Sequence, residues 1–444
     1  MLAVPDELAL LIFEAFAVGE PLQWPNASYD PDRARAPFTL SAVCRHWRQL
    51  TRNTSSLWTY FGFPGDPQIG LHVAQLHRQR LVRTLSMDQP LDVIFHLDEG
   101  SDINTAKVIV WTYRDQILDG LNEVSSRWRT AQLHMPSSYM ERLNRAMNGS
   151  SPHLISLSIS SFGGILGLPR SPSLSRLYVE CNSLEWVNGT GTDFLQLKLL
   201  ATAVTRHKEH ERLIAACCTS LVELSIFERL EEAAPAATAW DMPCLASLTL
   251  GDAQFLNLIH APQLVQLALE CQYLASTVPH LITQRFTRVE RLYLYGHVDL
   301  IAVDFLAGMP SVKSLAFAPP GSHMANRLNL HPNRITIRID GLFFSELNNR
   351  VPDVLPMLEH LYLGRFVLFG RNAPENAVRE NGLIAFLGAR IWLCATGPLA
   401  PLRSIGLHPM LPDWLGRRIQ AALSTPDILL LKASTTGVAW NNVL

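Results

Sequence analysis

Leu174-Ser175-Arg176-Leu177-Tyr178-Val179-Glu180-Cys181-Asn182-Ser183-Leu184 is the stretch on which the fold prediction depends. It contains the phrase L-x-x-L-x-L, with Val179 at the third apolar position. The alternation at the end of the phrase is typical of a short strand with one buried face. Because the phrase returns along most of the chain, the sequence predicts an array of similar units rather than several unrelated domains.

The copies of this phrase begin about 19 to 26 residues apart, or about twice that distance where a copy is missing. The clear copies are Leu154/Leu157/Ile159, Leu174/Leu177/Val179, Leu221/Leu224/Ile226, Leu245/Leu248/Leu250, Leu264/Leu267/Leu269, Val289/Leu292/Leu294, Val312/Leu315/Phe317, Leu358/Leu361/Leu363 and Leu402/Ile405/Leu407. Weaker candidates are Trp128/Ala131/Leu133 and Ile335/Ile337/Ile339. The gap before Leu221 contains either a copy at Phe194/Leu197/Leu199 or a longer helix through Leu213.

Two copies extend the phrase by an amide residue and a further leucine, with Asn182 before Leu184 and Gln272 before Leu274. Residues 128–430 therefore resemble a degenerate leucine-rich-repeat solenoid. Stacked copies of this kind build a curved parallel sheet with helices or loops behind it, so the expected fold class is α/β. A βαβ-type sheet with irregular connections is the structural alternative.

The residues between the alternating leucines are expected to face the concave surface of such a sheet. They are Ser158, Tyr178, Thr249, Ala268, Tyr293, Ala316 and Tyr362. Tyrosine combines a large contact area with a polar tip, so Tyr178, Tyr293 and Tyr362 are candidate client-binding residues. The alternative is that they cover the ladder of strands without binding anything.

The first sixty residues have a different pattern, with two predicted helices and a short aromatic block. Pro5-Asp6-Glu7 is a favourable helix start, and an apolar stripe follows it. The stripe contains Leu8, Leu11, Ile12 and Ala15 or Phe16. Glu20 to Pro37 is predicted to be a loop. A second helix is predicted from near Thr39, with Leu40, Val43, Cys44 and Trp47 at helical spacing.

The motifs Val4-Pro5-Asp6-Glu7-Leu8-x3-Ile12-Phe13, Leu40-x2-Val43-Cys44-Arg45-x-Trp47-Arg48 and Leu57-Trp58 together resemble an F-box, in particular that of fungal (basidiomycete) F-box-like proteins. The resemblance covers about 60 residues. It implies a small three-helix unit that docks on a Skp-family adaptor and through it on a cullin scaffold. Val4 stands where the family often has leucine, and the loop between the first two helices is long.

The resemblance provides a set of candidate adaptor-binding residues. They are Pro5, Leu8, Ile12, Phe13, Leu40, Val43, Cys44, Trp47, Leu57 and Trp58. Some of these side chains must instead hold the three helices together, and the pattern does not divide the two roles. A plain helical subdomain packed on the remainder of the chain is the alternative for this region.

The domain boundaries follow from these patterns. Residues 1–62 are the F-box-like domain, 63–127 a helical connector, 128–430 the degenerate solenoid and 431–444 a C-terminal tail. The connector has helical patterns at Ile69–Arg83 and Asn104–Val124, joined by an extended segment at Pro90-Leu91-Asp92.

Composition excludes several classes of function. With 48% apolar residues, 37 basic and 39 acidic groups, the chain lacks the basic field expected of a nucleic-acid-binding protein. The uncharged stretches are too polar for a membrane span. The seven cysteines are few and scattered, as in cytoplasmic or nuclear proteins. His207 and His210 lack the spacing of a metal site, and the adjacent Cys217 and Cys218 are expected to be buried small side chains rather than a redox pair.

The sequence therefore predicts a protein without catalytic residues, metal or cofactor. The F-box resemblance implies substrate recognition in an SCF-type (Skp–cullin–F-box) ubiquitin ligase, with an unknown client held by the repeats, and we expect localisation in the cytoplasm, the nucleus or both. The alternative is a leucine-rich-repeat binding scaffold that has no link to ubiquitination. Nucleic acid and membrane are not expected as partners.

Overall fold

The computed structural model forms two compact units, Met1–Cys217 and Cys218–Leu444, which we call the amino-terminal and carboxyl-terminal units. The structure describes residues 5–18, 29–63, 69–96, 107–161, 165–181, 183–185, 194–204, 207–227, 239–271, 274, 286–318, 337–351, 353–364, 373–397, 399–408, 413–423 and 428–432.

The amino-terminal unit has a main sheet of parallel strands in the order β1-β2-β3-β4-β6-β8. The strands are β1 (Tyr60–Phe63), β2 (Leu91–His96), β3 (Trp128–His134), β4 (Ser156–Ser160), β5 (Ile165–Gly167), β6 (Arg176–Cys181), β7 (Ser183–Glu185) and β8 (Leu199–Val204). The helices are α1 (Asp6–Val18), α2 (Pro31–Val43), α3 (Arg45–Asn53), α4 (Ile69–Leu85), α5 (Lys107–Glu123), α6 (Met140–Met147) and α7 (His207–Cys217). Short 3-10 helices cover Ser55–Trp58, Ser125–Arg127 and Ser137–Tyr139.

The carboxyl-terminal unit repeats this plan, with main-sheet strands in the order β9-β11-β13-β14-β16-β18-β19-β20. The strands are β9 (Glu223–Ile226), β10 (Trp240–Asp241), β11 (Ser247–Leu250), β12 (Ile259–His260), β13 (Gln266–Glu270), β14 (Arg291–Tyr295), β15 (His297–Val298), β16 (Ser314–Phe317), β17 (Arg338–Ile339), β18 (His360–Leu363), β19 (Ser404–Leu407) and β20 (Leu429–Lys432). The helices are α8 (Ile301–Ala307), α9 (Phe343–Asn349), α10 (Ala373–Thr396) and α11 (Asp413–Leu423), with a 3-10 helix at Ala253–Leu258.

The leucine phrase sets the register of both sheets, which confirms the predicted α/β class with a large parallel sheet. Leu157 pairs with Leu177, and Ile159 pairs with Val179. In the carboxyl-terminal unit the second apolar position of each copy pairs with its counterpart in the next, as Leu267 does with Leu292. We call these buried residues the core row, and the residues that alternate with them on the opposite face the alternate row.

The core row begins before the first predicted copy. Phe61 pairs with Val93, and Phe63 pairs with Phe95 at a ring-centroid distance of 5.2 Å. Residues 63–127 therefore contribute a strand to the sheet, in addition to the helices that their pattern predicted. The aromatic residues after Trp58 are buried because they form β1, the first strand of the sheet, and do not end a separate helical domain.

Two weaker predictions are corrected by the sheet register. Leu200 and Thr202, not Leu197 and Leu199, lie at the paired positions of β8, so the copy near residue 194 is real but begins three residues later. Thr202 replaces the last leucine of the phrase, which concealed the copy. Ile339 lies in β17, which pairs with β15 in a separate two-stranded sheet, and Ile335 lies outside the described residues.

The N-terminal helices also differ from their prediction. The second helix begins at Pro31, eight residues before Thr39, because Asp30 caps it by accepting backbone N–H bonds from Asp32 and Arg33. It ends at Val43. Cys44 is extended (φ −157°, ψ 172°), and α3 follows as a separate helix.

In the described part of the chain, no helix combines the length and apolar character needed to cross a membrane.

Candidate docking surfaces

Helix α1 is apolar on two sides. Ala9 and Phe13 are buried, and the Phe13 ring meets the Trp47 ring edge-on with centroids 4.7 Å apart. The other side contains four large side chains that remain more than half exposed: Leu8 (52%), Leu11 (62%), Ile12 (57%) and Phe16 (53%). We call these four residues the α1 face. A group of large apolar side chains that stay exposed side by side commonly marks a contact surface, so the α1 face is suited to contact with another molecule.

Polar contacts fix α1 on its neighbours without covering this face. The imidazole Nε2 of His46 lies 2.7 Å from Asp6 Oδ1, and the Ser56 hydroxyl donates to Glu14 Oε1 at 3.0 Å. Both pairs are exposed to solvent, so each contributes little to stability. They set the orientation of α1 on α3 and on the 3-10 helix that begins at Ser55.

Burial separates the predicted adaptor-binding residues into two groups. Pro5, Leu8, Ile12, Val43 and Cys44 are exposed, and Trp47 is half-buried. Phe13, Leu40, Leu57 and Trp58 are buried, and we correct their assignment from docking surface to core. Trp58 illustrates the reason. Its indole N–H donates to the Thr51 carbonyl at 2.8 Å, and its ring packs edge-on against the Phe38 ring with centroids 5.2 Å apart.

Sequence reasoning left Leu11 and Phe16 out of the candidate residues. Both belong to the α1 apolar stripe, so the helical spacing was the signal that could have included them. The break at Cys44 was not foreseeable from spacing, because Leu40 to Trp47 fits one continuous helix. Cys44 Sγ accepts the Trp47 backbone N–H at 3.4 Å and so begins α3.

A buried cluster ties α2 to the sheet. Arg33 Nη2 lies 2.6 Å from Asp92 Oδ2, and both side chains are almost fully buried. Asp92 also accepts from Arg129 Nη2 at 2.6 Å and from the Thr130 hydroxyl at 2.9 Å. Burial alone would raise the pKa of Asp92, but the hydrogen bond from Arg129 and the charges of both guanidinium groups outweigh it and hold the pKa below its usual value.

Aromatic packing completes the junction between α2 and the first strands. The Arg33 guanidinium lies over the Tyr60 ring, 4.7 Å from its centroid, and the Asp30 backbone N–H donates to the Tyr60 hydroxyl at 2.9 Å. A Cβ at Gly62 would lie 2.7 Å from the rings of Tyr29 and Tyr60, so this position admits only glycine without rearrangement. The N-terminal helices therefore pack as an integral part of the sheet edge.

The three predicted client-binding tyrosines are not equivalent. All three lie in the alternate row, as the phrase predicted. Tyr178 is buried, with its hydroxyl 3.0 Å from Glu180 Oε2, so its assignment as a surface residue is corrected. Tyr293 and Tyr362 are partly exposed. Each remains a candidate for contact with a client.

Among the described residues, no group of three His, Cys, Asp or Glu side chains is arranged to hold a metal ion. The features that stand out in the described residues are thus the α1 face and the partly exposed tyrosines of the alternate row.

Comparison with solved structures provides a weak similarity in fold. No family model matches the chain, and no curated protein matches it. A solved structure of the leucine-rich repeat-containing protein LegL7 from Legionella pneumophila aligns with 85% of this chain and 91% of its own, at 12% identity and a TM-score of 0.30.

Proposed function

We propose that this protein is a substrate-recognition adaptor of an SCF-type ubiquitin ligase. The α1 face would dock on a Skp-family adaptor, and the repeats would hold a client protein. The observation that supports this proposal is the α1 face itself, four large apolar side chains that the chain leaves more than half exposed. Burial of such side chains against a partner is worth roughly 1.5–3 kcal/mol each when complete.

The protein would act without catalytic residues of its own. Bringing a client to a ubiquitin-conjugating enzyme accelerates transfer by proximity, which requires a fixed distance between the two docking surfaces. The Arg33–Asp92 pair supports this requirement within the amino-terminal unit, because it fixes α2 to the first strands of the sheet. Flexible attachment of the helices would weaken the proximity effect.

A pulldown with a Skp-family adaptor tests the proposal. The full chain should retain the adaptor, and Ile12→Asp and Leu11→Asp should each lower retention at least tenfold because a carboxylate would be buried in the interface. Leu195→Asp is a matched control, since Leu195 is 59% exposed and lies in the repeat region, away from α1. Absence of binding by the wild-type chain would refute the proposal.

A second candidate function is a repeat-based binding scaffold without a link to ubiquitination, in which the N-terminal helices serve only as a cap. The packing of Tyr29, Arg33 and Tyr60 against the first strands favours this possibility, because it makes the helices part of the sheet edge. The two candidates differ in adaptor retention, which a pure cap would not show. If the helices are a cap, their removal should also unfold the sheet.

A further inference from the structure

Helix α10 of the carboxyl-terminal unit has an outer side without charge. Arg390 is the only charged residue between positions 381 and 396, and its side chain is fully buried. Residues spaced alternately four and three positions apart line the outer side of this segment, and all of them are at least partly exposed. They are Asn381, Ala385, Gly388, Trp392 and Ala395, which we call the α10 face. This spacing is typical of a seam along which one helix contacts another.

Trp392 is the large residue of the α10 face, and it is 66% exposed. A tryptophan buries about 150–250 Å² when it is covered, so exposure of most of its surface leaves a large apolar contribution unused. The residues one and two turns before it on the same face, Gly388 and Ala385, are small. The face therefore has a projection next to a hollow, a shape that fits a second copy of itself in the opposite orientation.

The two glycines inside α10 differ in what surrounds them. Glycine in a helix interior is less stable than alanine, so it is expected where a neighbour comes too close for a Cβ. Gly382 has such a neighbour, because a Cβ there would lie 2.8 Å from Ser345 Oγ on α9. At Gly388, on the outer side, a Cβ would meet no atom within 4 Å. The close approach that would explain Gly388 therefore lies outside the chain.

Helices α9 and α11 pack against α10 and determine which charges lie beside its outer side. Their described charged side chains are Glu346, Arg417 and Arg418. Arg418 pairs with Glu380 and donates to Asn381 Oδ1 at 3.3 Å, which places the charges of α11 beside the N-terminal end of the α10 face. Glu346 accepts from the Asn349 side-chain amide. The rest of the face offers no charge, so a charged group placed against it would lose hydration without compensation.

We propose that the α10 face is the contact between two copies of this chain, with the two helices antiparallel about a two-fold axis beside Gly388. Trp392 then lies over the partner subunit's Ala385, because these two positions are equally distant from the axis along the helix. The same surface serves both copies, as a two-fold contact requires. The α1 face is a poorer occupant, because Glu7 and Glu14 beside it would meet small uncharged residues. The inference does not depend on the proposed adaptor function.

Analytical ultracentrifugation of the full chain at about 1 to about 200 µM tests this inference, because a face about 21 Å long gives a small interface that associates weakly. The wild-type mass should rise with concentration from that of one chain toward that of two. Trp392→Ala and Ala385→Glu should each raise the dissociation constant at least tenfold, since the first removes the projection and the second buries a carboxylate. Gln420→Glu, which adds the same charge at an exposed position of α11, is the control and should associate like wild type.

Gly388→Leu separates loss of association from loss of folding. The chain has space for a Cβ at this position and leucine favours a helix more than glycine does, so the variant should unfold at a higher denaturant concentration than wild type in dilute solution. Its association should nevertheless weaken at least tenfold, because the new side chain holds the two backbones apart. The inference is overturned if the wild-type chain stays monomeric over the whole range, if it binds phosphatidylcholine vesicles through Trp392 instead, or if the three face variants associate like wild type.

Discussion

The alternate rows of the two units have similar residue types but use them differently. In the amino-terminal unit polar side chains of this row are hydrogen-bonded: Asp92 accepts from Arg33 and Arg129, and the Tyr178 hydroxyl donates to Glu180. In the carboxyl-terminal unit Tyr293 and Tyr362 are partly exposed, and Arg291 has no carboxylate partner among the described residues. The alternate row therefore holds hydrogen-bonded polar side chains in the amino-terminal unit and partly exposed tyrosines in the carboxyl-terminal unit.

This difference teaches that a position in the repeat does not decide the role of its side chain. Tyr178 and Tyr293 occupy equivalent positions in the phrase. What distinguishes them is the next residue on the same face, because Glu180 accepts the hydroxyl of Tyr178 whereas Tyr295 turns its hydroxyl to the Leu250 carbonyl at 2.9 Å. Neighbouring side chains, not the leucine spacing, close or open the face.

The largest loss of stability is expected from Asp92→Ala, in the alternate row of the amino-terminal unit. The change leaves the buried Arg33 guanidinium without its carboxylate, and breaking a buried pair in this way costs about 3–5 kcal/mol. Urea unfolding should show the loss, and hydrogen exchange should place it in α2 and β1 to β3. Glu141→Ala, which removes an exposed pair with Arg145, should cost less than about 0.5 kcal/mol. Equal losses in the two variants would contradict the structural role of Asp92.

Arg390→Met should cause the next largest loss of stability, at a residue that is not part of the alternate row. Arg390 is fully buried on α10, where Nη1 donates to the Leu355 carbonyl and Nη2 to the Leu358 carbonyl, both at 2.8 Å. Leu355 has a positive φ of 54°, so the carbonyls that Arg390 holds belong to a strained turn.

Loss of these bonds leaves buried carbonyls unsatisfied and should cost about 2–3 kcal/mol. Hydrogen exchange should increase first at the backbone amides around Leu355 and Leu358. Arg417→Met, at an exposed position on α11, serves as the control and should leave both stability and exchange unchanged. A uniform increase in exchange over both units would contradict a local role for Arg390.

Sequence patterns predicted the sheet well because the leucine spacing is a local property of each copy. They predicted the copy at Leu200 poorly, because Thr202 carries no hydrophobic signal although it is fully buried. Neither the Arg33–Asp92 pair nor the break at Cys44 could be predicted. Residues 33 and 92 come together only through tertiary packing, and the spacing around Cys44 is compatible with an unbroken helix.

The candidate docking surfaces were predicted only in part, because local spacing does not specify which side chains tertiary packing buries. The apolar stripe of α1 contains Leu8, Leu11 and Ile12, but spacing could not show that this stripe is exposed while Phe13 beside it is buried. The exposure of Tyr293 and the burial of Tyr178 depend on neighbours in adjacent strands, which a linear pattern does not specify.

Removal of single tyrosine hydroxyls provides a finer test of the comparison. Tyr178→Phe removes a hydrogen bond to Glu180 in a buried setting and should cost about 1–1.5 kcal/mol. Tyr293→Phe should cost less than about 0.5 kcal/mol, since the ring of Tyr293 is partly exposed and water can replace lost contacts. Chemical denaturation of the two variants measures both values. The comparison between the faces fails if Tyr293→Phe is the more destabilising change.

The smallest expected effect is a difference in pH dependence between the two faces. The pKa of His360 is lowered by burial from its usual 6.5, so the unfolded chain binds more protons and stability is lost as the pH falls below about 6.5. The pKa of Asp92 is lowered from 3.8, so its contribution is complete above that value and is lost only at more acidic pH. Unfolding free energy measured from pH 7.5 to 5 should therefore decrease less in His360→Gln than in wild type, whereas Asp92→Asn should follow the wild-type slope over this range. A wild-type slope in His360→Gln would show that the alternate row of the carboxyl-terminal unit does not hold His360 in its neutral form.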